Sequence, residues 1–258
     1  MKIPYHKKRK IKTKGEIEKM RSIQQCTERG MKYIEKILKE SDVNDQYELV
    51  WKGNILTSSI LRKEVENFFD KNDSFTPYKY IIATGKDSSD PHNRGKGPIR
   101  AQVPIIVDIF PYSKYGYYGD MSRTFIKGEP SQKLQNMNKA VNKSLNAGLE
   151  IIEDGIEANK VHDRVCEVIE KHGYETGVNK ESGFIHSTGH SIGLELHESP
   201  RISGDVEKLK EDMILTIEPG LYYEDIGGIR TENMIRITED GYEDFNTMNK
   251  NLICVPIN

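Results

Sequence analysis

The sequence predicts an α+β fold built from two related halves. Three observations predict it: helical periodicity recurs in four places, two strand–turn–strand segments share one pattern of acids, and no low-complexity linker divides the 258 residues. A chain of this length can bury a sizeable core. Without a linker, residues 1–258 read as one domain.

The elements follow in order. Residues 7–14, KKRKIKTK, form a basic run that reads as a solvated N-terminal tail. Thr13 and Glu16 stand three apart, as in a capping box. They open a helix over 15–40 with Ile17, Met20, Ile23, Ile34, Ile37 and Leu38 on its apolar face. A second helix fits 57–72, a strand 78–85, and a loop rich in turn residues 86–98, which contains His92. Helices fit 131–152 and 157–172.

The two strand–turn–strand segments each follow helical sequence. They are VPIIVDIFPYSKYGYYGDMSRTFIKG, 103–128, and MILTIEPGLYYEDIGGIRTENMIRI, 213–237. The first holds Asp108 and Asp120, the second Glu218 and Glu232, so each pair is placed to face its partner across a β-hairpin. This hints at internal duplication.

Composition narrows the function classes. A formal net charge of -2 with 30% charged residues gives no reason to expect nucleic acid as a partner. No apolar run reaches the roughly 20 residues of a membrane helix, and no apolar leader opens the chain. Cys26, Cys166 and Cys254 are far apart and odd in number, which fits a reducing compartment. The expectation is a cytoplasmic protein with no membrane contact.

A carboxylate in an apolar strand is costly to bury unless it is paired or bound to metal. A single such acid is ordinarily solvated or salt-bridged at a strand end. Four in two matched segments, beside the cluster His186, His190 and His197, point instead to a dinuclear site with enough ligands for two divalent ions.

Gly189-His190-Ser191-Ile192-Gly193 also fits G-x-S-x-G, the turn that presents a nucleophilic serine. The triad order of that fold requires an acid and then a histidine downstream. After Ser191 only Glu195 and His197 follow, with no room for the intervening strand and loop. The serine reading fails on order.

Taken together, D-x11-D, H-x3-H-x6-H-E-x-P, I-E-P-G and R-x-E resemble the pita-bread metallopeptidases: methionine aminopeptidases, aminopeptidase P and prolidases. The resemblance covers nearly the whole chain. It implies a pseudo-twofold pita-bread (creatinase/aminopeptidase) fold, with an antiparallel sheet covered by helices. It also implies five metal ligands: Asp108 on one ion, His190 and Glu218 on the other, and Asp120 and Glu232 shared between them. The ions would be Mn2+ or Co2+, with Zn2+ or Fe2+ as alternatives, since oxygen and nitrogen donors suit all four.

GLELHESP, IEPGLYY and Arg230-Thr231-Glu232 are similar to the proline-specific branch, and methionine aminopeptidases usually carry another residue where Arg230 stands. The resemblance therefore implies a metallo-aminopeptidase or dipeptidase that hydrolyses the N-terminal bond of Xaa-Pro peptides. Its partner is a peptide, and it is expected as a possible homodimer. Glu218 would move the proton, His197 would hydrogen-bond the carbonyl and tetrahedral intermediate, and His92, His186 and Arg230 would contact substrate. Tyr112, Tyr115, Tyr117, Tyr118, Tyr222 and Tyr223 are candidates for an apolar wall. His6, His162 and His172 read as surface residues.

Three departures from the family pattern stand out: Ser191 for the usual glycine, Ser122 for the usual threonine, and a first hairpin one residue longer. Proline-specific relatives also usually carry an extra N-terminal domain, and no separate one is expected here. The alternatives are a methionine aminopeptidase and a non-catalytic binding protein on the same fold.

Because chain order excludes a triad, Ser191→Ala is expected to leave any peptidase activity within a few fold of the parent. Assay of the variant, with a serine-directed acylating inhibitor on the parent, checks this. Loss beyond about a hundredfold with intact metal content restores the serine to the mechanism.

Overall fold

The computed structural model describes residues 9–178 and 180–257. Lys7, Lys8 and His6 lie outside the described residues.

Helix α1 (Lys14–Glu40) begins with the expected capping box: Glu16 N–H donates to the Thr13 hydroxyl, and Thr13 N–H donates to the Glu16 carboxylate at 2.8 Å. Its buried stripe runs Ile17, Met20, Ile23, Met31, Ile34 and Leu38, a helical repeat that also takes Gln24 inside. A small meander follows, with β1 (Asp42–Val43), β2 (Leu49–Trp51) and β3 (Asn54–Ile55). Helix α2 (Ser58–Asp70) is capped by the Thr57 hydroxyl.

The first large sheet is built from β5 (Ile81–Thr84), β6 (Ile105–Ile109), β8 (Met121–Lys127) and β16 (Ile253–Val255), in the order β16-β8-β6-β5. Two short strands, β4 (Ser74–Phe75) and β7 (Tyr112–Ser113), pair at its side. Helices α3 (Gln132–Glu150) and α4 (Ala158–Lys171) come next. The second large sheet holds β9 (Gly189–Ser191), β10 (Glu198–Ile202), β11 (Ile214–Ile217), β14 (Asn233–Thr238) and β15 (Gly241–Asp244), ordered β10-β9-β11-β14-β15. A hairpin, β12 (Gly220–Tyr223) with β13 (Gly227–Arg230), stands between β11 and β14.

The duplication hinted at in the sequence is visible in the topology. Each half runs two helices and then an antiparallel trio, β5-β6-β8 in the first and β9-β11-β14 in the second. Strand β16 departs from the antiparallel rule, lying parallel to β8.

The acid-bearing segments are not simple hairpins. In the first, Asp108 lies opposite Ser122, so Asp120 sits two residues along the same face, diagonal to Asp108. In the second, the ladder ends at Ile217 opposite Asn233, which brings Glu218 and Glu232 to the same strand ends.

Three apolar clusters support this frame. One joins α1 and α2 to the first sheet through residues such as Met20, Phe69, Ile82 and Phe125. A second joins α3 and α4 to β11 and β14 through Leu145, Val161, Leu215 and Ile235. The third, with Ile126, Met137, Ile169, Leu221 and Ile229, ties α3 and α4 to β8 and the β12–β13 hairpin.

The basic run is not a solvated tail where the structure describes it. Ile11 bridges to Met213, Lys12 N–H donates to Asp212 O at 3.0 Å, and the Lys12 ammonium is buried against Glu198. His162 and His172 are likewise half-buried rather than on the surface: His162 bonds the Thr188 hydroxyl at 2.8 Å, and the His172 ring donates to Val168 O at 2.8 Å. His162 turns towards the β9 side of the helix, where its ring also packs against Phe184, while the His172 ring folds back onto the last turn of α4.

Glu28 of α1 pins the returning C-terminal segment. It accepts from the Thr247 and Met248 backbone N–H groups at 2.6 and 3.0 Å, and from Lys32 at 2.6 Å. Burial pushes its carboxyl up, but the donors from Lys32, Thr247 and Met248 together hold it down to about 2. A depressed folded pKa gives stability that is present above the unfolded value and lost as pH falls through the folded one. Glu28→Gln is therefore expected to be less stable than the parent at pH 7, with the gap closing as pH falls from about 4.5 towards 2. Urea unfolding across that range checks it; a gap unchanged at pH 3 refutes the coupling.

Candidate metal and substrate site

All the predicted ligand, catalytic and substrate-contacting residues, the tyrosine wall aside, meet in one cavity of about 1040 Å³. Asp108, Asp120, His190, Glu218 and Glu232 line it, and so do His92, His186, His197 and Arg230. Asp108 belongs to β6, Asp120 precedes β8, Glu218 follows β11 and Glu232 precedes β14. The cavity thus opens on the strand ends of both sheets.

Asp120, His190 and Glu232 offer ligand atoms that lie within 4.8 Å of one another, all on buried residues. His190 Nε2 stands 3.6 Å from Asp120 Oδ2 and 3.5 Å from Glu218 Oε1. Its Nδ1 lies 3.1 Å from the Ser191 carbonyl, which can only accept, so Nδ1 carries the proton and the Nε2 lone pair faces the acids. Burial, then His197, lowers the His190 pKa to about 3, which keeps the ring neutral. Asp108 stands outside this trio, with Oδ2 accepting from Arg230 Nη2 at 2.7 Å.

The acids are electrostatically unhappy as a group. Burial and then Glu232 raise Asp120 well above the usual carboxylate range; burial and then Glu218 do the same to Glu232. Burial pushes Glu218 up to about 8. Asp108 Oδ1 and Glu232 Oε2 are buried with no hydrogen-bond partner among the described residues. Orphaned, mutually repelling oxygens beside a neutral imidazole lone pair are the donor set a divalent cation satisfies, so these residues fit the metal that the sequence resemblance implies.

Arg230 is the nearby cation. Its Nε donates to the Ser122 hydroxyl at 3.0 Å, its Nη1 to Pro91 O and the Tyr222 oxygen at 3.1 Å each, and its Nη2 to Asp108. Burial opposes its charge, but Tyr222, Asp108, Glu218 and Glu232 outweigh it and raise the guanidinium pKa. Tyr222 relays onward to His186 Nε2 at 2.9 Å, and His186 Nδ1 donates to Ser187 O at 2.8 Å. His186 is held neutral, its pKa lowered to about 3 mainly by burial.

His92 and His197 are exposed at the cavity wall. The His197 ring packs edge-on to His190 at 4.4 Å. Of the six tyrosines proposed for an apolar wall, only Tyr118 lines the cavity. Tyr117 turns away to bond Glu16 at 2.9 Å, and Tyr222 is fully buried behind Arg230 and His186. The apolar lining is instead Tyr78, Phe110, Tyr118, Leu194 and Leu196.

Other residues were missed from the sequence. Gln24 clamps Asp120 through both backbone groups, at 2.8 and 2.6 Å. A polar residue inside the apolar stripe of a predicted helix was the available signal. Arg123 is fully buried and donates to Ser122 O, Glu232 O, Asn233 Oδ1, Met248 O and Asn249 O. Arg201 lines the cavity four residues after His197.

Ser191 is fully buried, its hydroxyl donating to Ile214 O at 3.2 Å, and has no path to a substrate. The first glycine of this motif is required for packing: a Cβ on Gly189 would stand 1.9 Å from Thr216 O.

The two joined sheets, with helices against them, form the pita-bread fold. The Xaa-Pro dipeptidase from Bacillus anthracis aligns with a TM-score of 0.85 at 29% identity, covering 96% of this chain and 65% of that one. The X-Pro aminopeptidase from Thermotoga maritima aligns with a TM-score of 0.85 at 26% identity, covering 97% and 66%. An Xaa-Pro dipeptidase from Pyrococcus furiosus is 34% identical over 181 residues, 69% of this chain and 50% of its own length. Residues 18–239 match metallopeptidase family M24, and the chain belongs to that family. It spans half the length of the Pyrococcus furiosus relative and about two thirds of the two solved chains.

Adding excess Mn2+ to metal-free protein is expected to raise its melting temperature, since a ligand that binds only the folded state stabilises it. Glu232→Gln is expected to lose most of that rise while melting no lower than the parent without metal, because it removes one repelling acid. Scanning calorimetry with and without Mn2+ checks both; a full Mn2+ response in the variant takes Glu232 out of the ligand set.

Proposed function

We propose that this protein is a dinuclear metal-dependent exopeptidase that hydrolyses the N-terminal bond of Xaa-Pro peptides. The observation that carries the reading is the single cavity in which the acid cluster with two orphaned carboxylate oxygens meets His92, His197 and an apolar wall. The similarity to Xaa-Pro dipeptidases and an X-Pro aminopeptidase supports the choice of substrate.

Asp108, Asp120, His190, Glu218 and Glu232 would hold two divalent ions, with Mn2+ or Co2+ as the proposed metals. When bound, such ions supply Lewis acidity and a water acidified to near neutrality. Glu218 takes a proton from the attacking water and hands it to the leaving nitrogen. The water oxygen bonds to the scissile carbon, the C–N bond breaks, and the amine leaves with the transferred proton. His197, exposed on the cavity wall, donates to the carbonyl oxygen as it gains negative charge. Arg230 holds one oxygen of Asp108 and fixes the direction of the other. His92 and His186 border the space for the substrate.

A proline nitrogen carries no hydrogen, so recognition of Xaa-Pro must come from shape and from the flanking carbonyls. Phe110, Tyr118, Leu194 and Leu196 supply a wall of that kind. The proposal extends to one catalytic domain, to action in a reducing cytoplasm, supported by three unpaired cysteines, and to a homodimer.

With saturating Mn2+ or Co2+, Xaa-Pro dipeptides or longer Xaa-Pro peptides are expected to be cut faster than Met-Ala peptides at equal concentration, with chelation abolishing turnover. A competition assay read by mass spectrometry decides it. Faster cleavage of the methionine peptides moves the substrate to the methionine aminopeptidase class, and full turnover without metal removes the mechanism.

A further inference from the structure

We propose that Lys12 is a positioning residue for His197, acting through Glu198 on the turn that carries His197. The inference rests on the function proposed above for its kinetic consequence, but not for its structural one.

Residues 193–198 form a turn closed by their own last side chain. Glu198 Oε1 accepts from Leu194 N–H at 3.0 Å and Glu195 N–H at 3.2 Å. The carboxylate lies so close to the backbone that a Cβ on Gly193 would meet both its oxygens at 2.9 Å. Gly193 O in turn accepts from Tyr118 N–H at 3.0 Å, which fixes the turn to the cavity wall. Leu194, Leu196 and His197 all face the cavity from this turn.

The remaining oxygen of Glu198 is met by Lys12 at 3.3 Å, and both side chains are almost wholly buried, at 3% and 7% exposure. A buried carboxylate without its cation is costly, so the pair is strongly interdependent. Lys12 itself is fixed. Its N–H donates to Asp212 O, its ammonium also donates to Lys10 O at 3.3 Å, and α1 begins two residues later. Lys10 pairs with Glu207 at 2.6 Å, and Arg9 reaches Glu195 at 2.8 Å on the turn itself. The segment before α1 is therefore a strap lying across the back of the turn, with Lys12 as its buried anchor.

Chain logic supports a positioning role over a merely packing one. Lys12 touches neither the cavity nor the acid cluster, yet Glu198 is the next residue after His197. Release of Glu198 frees the Leu194 and Glu195 amides, and His197 then loses its fixed place 4.4 Å from the His190 ring. A misplacement on this scale is the kind that costs turnover without costing binding.

The test compares the parent with Lys12→Met, which keeps the stem and removes the charge, and Lys12→Arg, which keeps the charge. Hydrogen exchange by mass spectrometry reads the turn independently of catalysis. Lys12→Met is expected to speed exchange in peptides covering 193–198 about tenfold or more, with exchange in β6, β8 and β14 unchanged. Mn2+ content stays as in the parent. With Xaa-Pro peptides, kcat is expected to fall about ten- to a hundredfold while KM stays within about threefold. Lys12→Arg is expected to recover most of both effects. Parent-like exchange at 193–198 in Lys12→Met overturns the proposal, as does faster exchange spread evenly over the chain. If the parent cuts no peptide, the function proposed above fails and the exchange data alone decide this one.

Discussion

The structure depends on keeping four carboxyl groups together at the seam between two sheets. Asp108, Asp120, Glu218 and Glu232 come from matched strand ends, and each is driven up the pH scale by burial; neighbouring acids add to this at Asp120, Glu218 and Glu232, while Arg230 opposes it at Asp108. Two of their oxygens have no hydrogen-bond partner among the described residues. Such an arrangement is held against its own repulsion. What holds it is the backbone on which the acids stand, together with two arginines of different kinds.

Arg230 acts on the charges, neutralising Asp108 directly and taking its own support from Ser122, Pro91 O and Tyr222. Arg123 acts on the backbone. It lies under the seam, joins Ser122 O of the first sheet to Glu232 O of the second, and reaches the C-terminal segment at Met248 and Asn249. Glu28 holds the neighbouring residues Thr247 and Met248 from α1. The charge-bearing face and the load beneath it are thus fixed from opposite sides. Glu232 N–H donates across the seam to Ser122 O at 3.1 Å, so the two halves meet through main chain at the point where the acids converge.

Much of this was legible in the sequence because it is written in local pattern. The four long helices have clear periodicity, and the Thr13–Glu16 cap and Thr57 cap lie where short-range chemistry puts them. The acids stood out because IIVDIF and LTIEPG place charge inside apolar strands. What stayed hidden depends on contacts far apart in the chain. The diagonal of Asp108 and Asp120 is a matter of register, which separation alone does not fix. The tyrosines illustrate the same limit: alternation says that Tyr117 and Tyr118 face opposite ways, but not that Glu16 takes the first and the cavity the second. The basic run looked like a tail because its partners, Glu198 and Glu207, lie almost two hundred residues away.

The two walls of the cavity differ in how they are held. The acid floor stands on strands braced by ladder hydrogen bonds and by Arg123, so its geometry follows from the fold. The opposite wall, with Leu194, Leu196 and His197, stands on a short turn between β9 and β10. The residues of this turn lie outside the β9–β10 ladder, so they are fixed by the Tyr118 N–H bond to Gly193 O and by side chains. Glu198 closes it from within, Gly193 makes room for that closure, and the strap before α1 supplies the cation from outside. A functional wall on a turn can be re-aimed without disturbing the sheets. The same separation means that a rigid floor can work with a wall whose position is set by a few charges elsewhere in the chain.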